Sequence, residues 1–246
     1  MFRKFYRTFA PVAALGFASA GLSGCNFDYG MTKFDGVPLA ELDFNAAAPE
    51  GVSLASPDTV LVKDGARFDV RVEGDTAAVE AMRFKLDDDT LRIAREGRDY
   101  NSSDGTATVT VTLPRLTAMS QAGSGTIDAE SLSGDAKIEI AGSGSARARN
   151  IEADALAIDI AGSGKVDGGG STGKLALSIA GSGDVRLADL KADSADISIA
   201  GSGDAEFASD GTVDASIAGS GNVRVIGKAT CNVNTMGSGK LTCASE

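Results

Sequence analysis

The chain contains no histidine and no tryptophan. Without histidine there is no Ser-His-Asp or Cys-His catalytic set, no ordinary zinc site, and none of the commonest near-neutral general base. Aromatic residues are only 5% of the chain, which excludes a core built on large rings. The three cysteines form no Cys-x-x-Cys pair, so the usual dithiol redox spacing is missing. Positive charge is scarce: 23 Lys and Arg stand against 34 Asp and Glu, a formal net charge of −11. So acidic a chain repels phosphate, which excludes nucleic acid as a partner and disfavours anionic lipid headgroups.

Its one long apolar run lies at the N-terminus. Arg3, Lys4 and Arg7 precede an uncharged stretch from Thr8 to Gly24, followed by Leu22-Ser23-Gly24-Cys25. A basic start, an apolar middle and small residues before a cysteine make the pattern of a lipoprotein signal, with Cys25 as the acylated residue. Residues 1–24 are read as the signal peptide and 25–33 as a tether. The membrane is thus a partner through the acyl anchor. The competing readings are an uncleaved anchor helix and ordinary signal cleavage beside an incidental cysteine. Asn26, where Gram-negative sorting rules place Asp for inner-membrane retention, points to the outer membrane, on its periplasmic or cell-surface face. Removing residues 1–24 takes away three positive charges and no negative one, moving the net charge from −11 to −14.

What the chain does have is a Gly-Ser-Gly triplet returning seven times, at Gly123, Gly142, Gly162, Gly181, Gly201, Gly219 and Gly237, spaced 19, 20, 19, 20, 18 and 18 residues apart. A period that tight predicts a stack of similar coils. Ile138 and Ile140, Ile158 and Ile160, and Ile197 and Ile199 lead into their triplets. Strand alternation turns each pair inward and places Glu139, Asp159, Ser178, Ser198, Ser216 and Asn234 outside. Beyond the triplets the inward positions resume at Val166, Val185 with Leu187, Ala205 with Phe207, Val223 with Val225, and Leu241. Stacking at about 4.8 Å per coil predicts a column roughly 30–35 Å tall. A flexible Gly/Ser linker would not hold β-branched residues at fixed offsets, and an antiparallel sandwich would not need one identical bend in unlike hairpins.

Residues 34–114 read as an irregular β region, with alternation over Arg67–Val72, Thr90–Ile93 and Thr106–Leu113. Thr76–Leu86 fits a helical turn or a strand, and Val79, Met82 and Phe84 favour the strand. Asp104-Gly105 is a turn candidate, and Pro114 marks the seam with the repeats. The fold class is therefore all-β: a parallel β-helix-like solenoid of about seven coils over residues 115–243 with an irregular N-terminal β cap. Residues 34–243 form one domain.

The run Val109-Thr110-Val111-Thr112-Leu113-Pro114-Arg115-Leu116-Thr117-Ala118-Met119, followed by Gly123-Ser124-Gly125, resembles the family named putative auto-transporter adhesin, head GIN domain. The Lys63-Asp64-Gly65 turn and the Phe68–Val72 and Leu91–Ile93 strands match the same pattern. The resemblance implies a β-solenoid at the cell surface or in the periplasm, and it brings no proven adhesive activity with it. No room for a membrane barrel follows Cys243, which leaves Cys25 as the expected anchor.

No catalytic residue, cofactor site or metal site is assigned. The triplet serines lack a base, and no Lys-Ser/Thr step and helix follow them to make a phosphate loop. Asp184 and Asp204 follow successive triplets at one offset and should lie one coil apart. Lys165 and Asn222 occupy the flanking coils, so the acidic stack stops at two, short of a Ca²⁺ site or a carboxylate cleft. Cys231 and Cys243 lie six residues before and six after Gly237 with inward parity, a candidate disulfide to fasten the last coil. The expected function is a non-enzymatic envelope lipoprotein presenting a rigid β scaffold to a glycan, an envelope protein or another copy of itself. The alternatives are a purely structural envelope protein and a polysaccharide-active enzyme, the latter requiring a carboxylate cluster near Arg83, Lys85 or Arg92.

Overall fold

The computed structural model describes residues 34–96 and 105–244, which lie in one compact unit beginning at Phe34. Its organising element is a strand that turns a corner at every triplet. Strands β8 (Thr126–Gly142), β9 (Ser145–Gly162), β10 (Lys165–Gly181), β11 (Asp184–Gly201) and β12 (Asp204–Gly219) each run from one triplet to the next. Neighbours are parallel and in register, so that Gly142, Gly162, Gly181, Gly201 and Gly219 stack in one column. The last turns are β13 (Asn222–Ile226), β14 (Thr230–Gly237) and β15 (Lys240–Ala244). The strands β13 and β14 lie on the two halves of β12, and β15 lies on β13.

The corner explains the triplet. Gly162 sits at φ +126°, and a Cβ there would come within 2.4 Å of the Gly142 carbonyl oxygen below. The third glycine, Gly164, has ordinary φ, but its Cβ would meet Ile140 Cγ2 at 2.4 Å. Between them the Ser163 N–H donates to the Gly142 carbonyl at 2.8 Å, while the serine side chain faces solvent. One glycine is thus required by backbone conformation and the other by close approach to the isoleucine below. Inside, Ile138 and Ile140, Ile158 and Ile160, Leu177 and Ile179, and Ile197 and Ile199 are all buried.

The N-terminal region continues the same stack. Strands β1 (Gly51–Ala55) and β2 (Thr59–Asp64) lie parallel on β7 (Ala118–Gly123) and on the start of β8. The turn Ser56-Pro57-Asp58 thereby stands over Gly123-Ser124-Gly125. Strands β5 (Thr90–Arg95) and β6 (Ala107–Leu113) form a further parallel layer on β1 and β2. Above them β3 (Asp69–Gly74) and β4 (Met82–Asp87) run antiparallel to β6 and β5. The chain therefore lays down one layer, crosses to the end of the stack, reverses, and returns through a layer on its far side. Reversal ends the parallel repeat, and Val37 bridges Phe84 on the outer edge of β4.

One local expectation is corrected. Thr76–Ala81 is a short helix, α1, and the strand begins only at Met82. Three alanines supply helix propensity there, Ala78 is fully buried, and the Val79 N–H donates to the Asp75 carbonyl at 2.9 Å. Asp104 lies outside the described residues. Among the described residues no helix is long and apolar enough to cross a membrane.

Candidate functional site on the outer face of the column

In-register stacking turns every outward position into a ladder across the coils. The column through Asp128, Arg147, Asp167, Arg186, Glu206 and Arg224 alternates in sign at every coil. Alternation sets opposite charges on adjacent strands, where like charges would repel. Arg224 pairs within the column with Glu206 at 3.2 Å, whereas Arg149 reaches across to Asp128 at 2.9 Å. Arg147 and Asp167 form no ion pair among the described residues and present their charges outward. Beside them Gly168-Gly169-Gly170 leaves a shallow depression of about 670 Å³, flanked by Arg147, Arg149 and Arg186.

Asp184 and Asp204 are register partners on adjacent coils, flanked by Lys165 and Asn222. Their surroundings do not fit Ca²⁺. One Asp204 carboxylate oxygen already accepts the Asn222 backbone N–H at 2.9 Å and its side-chain amide at 3.0 Å, and Arg186 lies 3.5 Å from Asp184. Calcium takes six to eight oxygen ligands, and among the described residues no group of three or more His, Cys, Asp or Glu side chains could hold a metal ion. Arg83, Lys85 and Arg92 do not converge on this pair. They sit on β4 and β5, each in its own ion pair: Arg83 with Glu96, Lys85 with Asp35 at 3.0 Å, and Arg92 with Asp87 at 3.2 Å. The strands β1 and β7 to β10 separate β5 from β11.

Cys25 lies outside the described residues. Cys231 and Cys243 are joined by a disulfide with their Cα atoms 6.7 Å apart. They occupy the interior columns above Val213 and Val225. The chain-entropy relation gives roughly 3 kcal/mol for so short a loop. Replacing both cysteines by serine is therefore expected to loosen the end coil first. Amide exchange should rise tenfold or more over residues 230–244 and change little over residues 126–181.

The densest polar chemistry is internal, at the corner beneath the cap. Asp58 is fully buried and Arg95 is 4% exposed. Arg95 Nε donates to Asp58 Oδ2 at 2.8 Å, and its Nη2 donates to Asp58 Oδ1 and, at 3.0 Å, to the Gly105 carbonyl. The Ala107 N–H also donates to Asp58 Oδ1, at 2.7 Å. Burial, the largest single influence, raises the Asp58 pKa, but the guanidinium, the Ala107 N–H and the Ser56 hydroxyl together outweigh it and hold the carboxyl below its ordinary value. The pair ties three segments of the cap together, and Arg95 and Gly105 also line an open depression of about 600 Å³ with Ser56, Asp75, Thr106 and Ser124.

Sequence reasoning missed this pair because its partners are 37 residues apart and neither belongs to a repeat. Gln121 was readable. It stands two residues before Gly123, where the next five coils carry isoleucine, and it is register partner to Ile140. Its amide nitrogen and oxygen are both buried without a hydrogen-bond partner. Gln121→Leu is therefore expected to stabilise the fold by about 1–3 kcal/mol, the usual cost of leaving such a group unsatisfied. A lowered urea midpoint would contradict the assignment.

A registered all-β column with a packed interior and charge ladders along its surface defines a rigid β scaffold. Residues 48–229 match the model of the family described as putative auto-transporter adhesin, head GIN domain. The chain belongs to that family. Solved structures share the fold. The "putative adhesin" of Bacteroides fragilis superposes with a TM-score of 0.74 at 20% identity, over 81% of this chain and 94% of that one. A "putative adhesin" of Parabacteroides merdae gives 0.62 at 16% identity, over 81% and 93%. A "putative lipid binding protein" of Parabacteroides distasonis gives 0.61 at 20% identity, over 80% and 93%. No curated protein matches the chain.

Proposed function

We propose that the protein is an outer-membrane lipoprotein, held by acyl chains on Cys25 after removal of residues 1–24, that presents its β column as a rigid binding surface. The ligand is a glycan or a protein of the envelope. The observation that carries this reading is the outward ladder from Asp128 to Arg224, six charges alternating on a backbone whose register fixes their spacing. A surface repeated at about 4.8 Å suits an extended partner, which gains affinity by engaging several coils at once. The Arg147 charge, unpaired in the fold, is available to such a partner.

Two measurements test this. Metabolic labelling with a radioactive fatty acid should mark the wild type and be lost in Cys25→Ser, and labelling that persists in the variant overturns the anchor. The triple variant Arg147→Gln, Arg186→Gln and Arg224→Gln should keep its fold and lose at least tenfold in binding to envelope glycan or protein fractions. Unchanged binding overturns the ladder as the contact surface.

A further inference from the structure

The two ends of the column differ. At one end the edge strands β3 and β4 carry charge, Asp69, Arg71 and Glu73 on the one and Arg83, Lys85 and Asp87 on the other, and Val37 bridges β4. At the other, β14 pairs only with β12 and β15 only with β13, so the outer side of both strands carries a row of unpaired backbone donors and acceptors among the described residues. An apolar interior side chain is uncovered there: Val233 continues the column of buried Ala215 yet is 51% exposed. Met236 heads an outward-facing alanine column and is 80% exposed.

Exposed edge strands are ordinarily protected by charge, proline or a bulge. This one is not. Ala229 to Gly239 contains no charged residue and no proline. The lower coils do carry charge in the same outward columns: Lys137, Asp196 and Asp214 stand in line with Asn232, and Glu139 and Asp159 with Asn234.

We infer that this end coil docks a second copy of the same chain, related by a two-fold axis perpendicular to the column, so that two columns join open end to open end. A chain of net charge −11 repels its own copies over most of its surface, and the charge-free strand β14 is where two copies meet without facing like charges. Each copy offers the other the same apolar side chains and the same row of backbone groups, as an isologous interface requires. The charged edge strands β3 and β4 at the opposite end stop association at two. This inference rests on the scaffold reading above and adds to it a second contact surface, the end coil. The chain enters the fold at the opposite end, where Val37 meets β4, so the entry points of a joined pair lie far apart and anchored copies engage from opposed membranes.

The test uses the full-length protein in mild detergent, with its mass read by native mass spectrometry. The wild type should appear as two copies. The pair Val233→Lys and Met236→Lys should weaken dimerisation at least tenfold, whereas Arg147→Gln with Arg186→Gln should leave it unchanged. A wild type that stays single up to about 100 μM, or a dimer that survives the lysines and is lost with the arginines, overturns the inference. Both lysine sites are exposed; should that variant fail to fold, Asn234→Lys, also exposed, is read instead with the same expectation. Vesicles carrying the lipidated protein should cluster, and the lysine variant should not. A dimer without clustering overturns the opposed-membrane arrangement. None of these readouts depends on glycan binding, and the mass measurement holds whether or not Cys25 is acylated, so failure here is distinguishable from failure of the scaffold reading.

Discussion

Arg95→Met is expected to destabilise the fold by about 3–5 kcal/mol, the cost of leaving one member of a buried ion pair uncompensated. Asp58 is fully buried, and without the guanidinium only the Ala107 N–H and the Ser56 hydroxyl oppose its burial. The pH dependence separates this from a simple packing defect. In the wild type the folded Asp58 pKa lies below its ordinary value, so the pair's stabilisation is present in full above the unfolded pKa of about 3.9. It is lost as pH falls through the folded pKa. In Arg95→Met burial prevails and raises the Asp58 pKa, so the variant should regain stability as pH falls from 7 towards 4. Urea titrations at several pH values read both slopes. Parallel pH profiles for wild type and variant would show that the pair is not coupled to folding.

The second large effect concerns the corners. Gly162→Ala places a side chain at φ +126° and a Cβ 2.4 Å from a backbone oxygen that cannot step aside. Strain of this kind costs about 1–3 kcal/mol, and the clash with the coil below adds to it, so a loss of about 3 kcal/mol or more is expected. Gly123 supplies the control. It also has positive φ, +103°, but a Cβ there meets nothing within 4 Å. Gly123→Ala should therefore show the strain alone, about 1–3 kcal/mol, and the difference between the variants reports the contact between coils. Equal losses would mean that the corner glycines serve conformation only.

The coils were legible because each repeats the same local rule. The isoleucine pairs before the triplets face inward, the residues between them face outward, and Asp184 and Asp204 come to adjacent strands, all from triplet offset and strand alternation. The charge ladder was equally available at the third residue after each triplet, from Asp128 to Arg224, but of the outward positions there only the first, that of Asp184 and Asp204, entered the sequence reading. Gln121 was visible as the glutamine in an isoleucine position. The cap followed no such rule. Its layers are stacked out of chain order, with β1 and β2 between the repeats and a layer formed later in the sequence. The Asp58–Arg95 pair exists only through that threading. The α1 helix was hidden by Val79, Met82 and Phe84, whose spacing suits a strand as well; the alanines decide the first half and the cross-strand pairing of β4 with β5 decides the second.

Distances along the serine edge test the column most directly. Spin labels attached by a chemistry that leaves the native cysteines alone are placed at Ser124 and, in separate samples, at Ser182, Ser202, Ser220 and Ser238. These lie three, four, five and six coils from Ser124 in the strand register. The backbone separation should then increase linearly by about 4.8 Å per coil, from about 14 Å to about 29 Å. A separation that levels off or reverses along the series would contradict the stacked column and every functional argument built on its register.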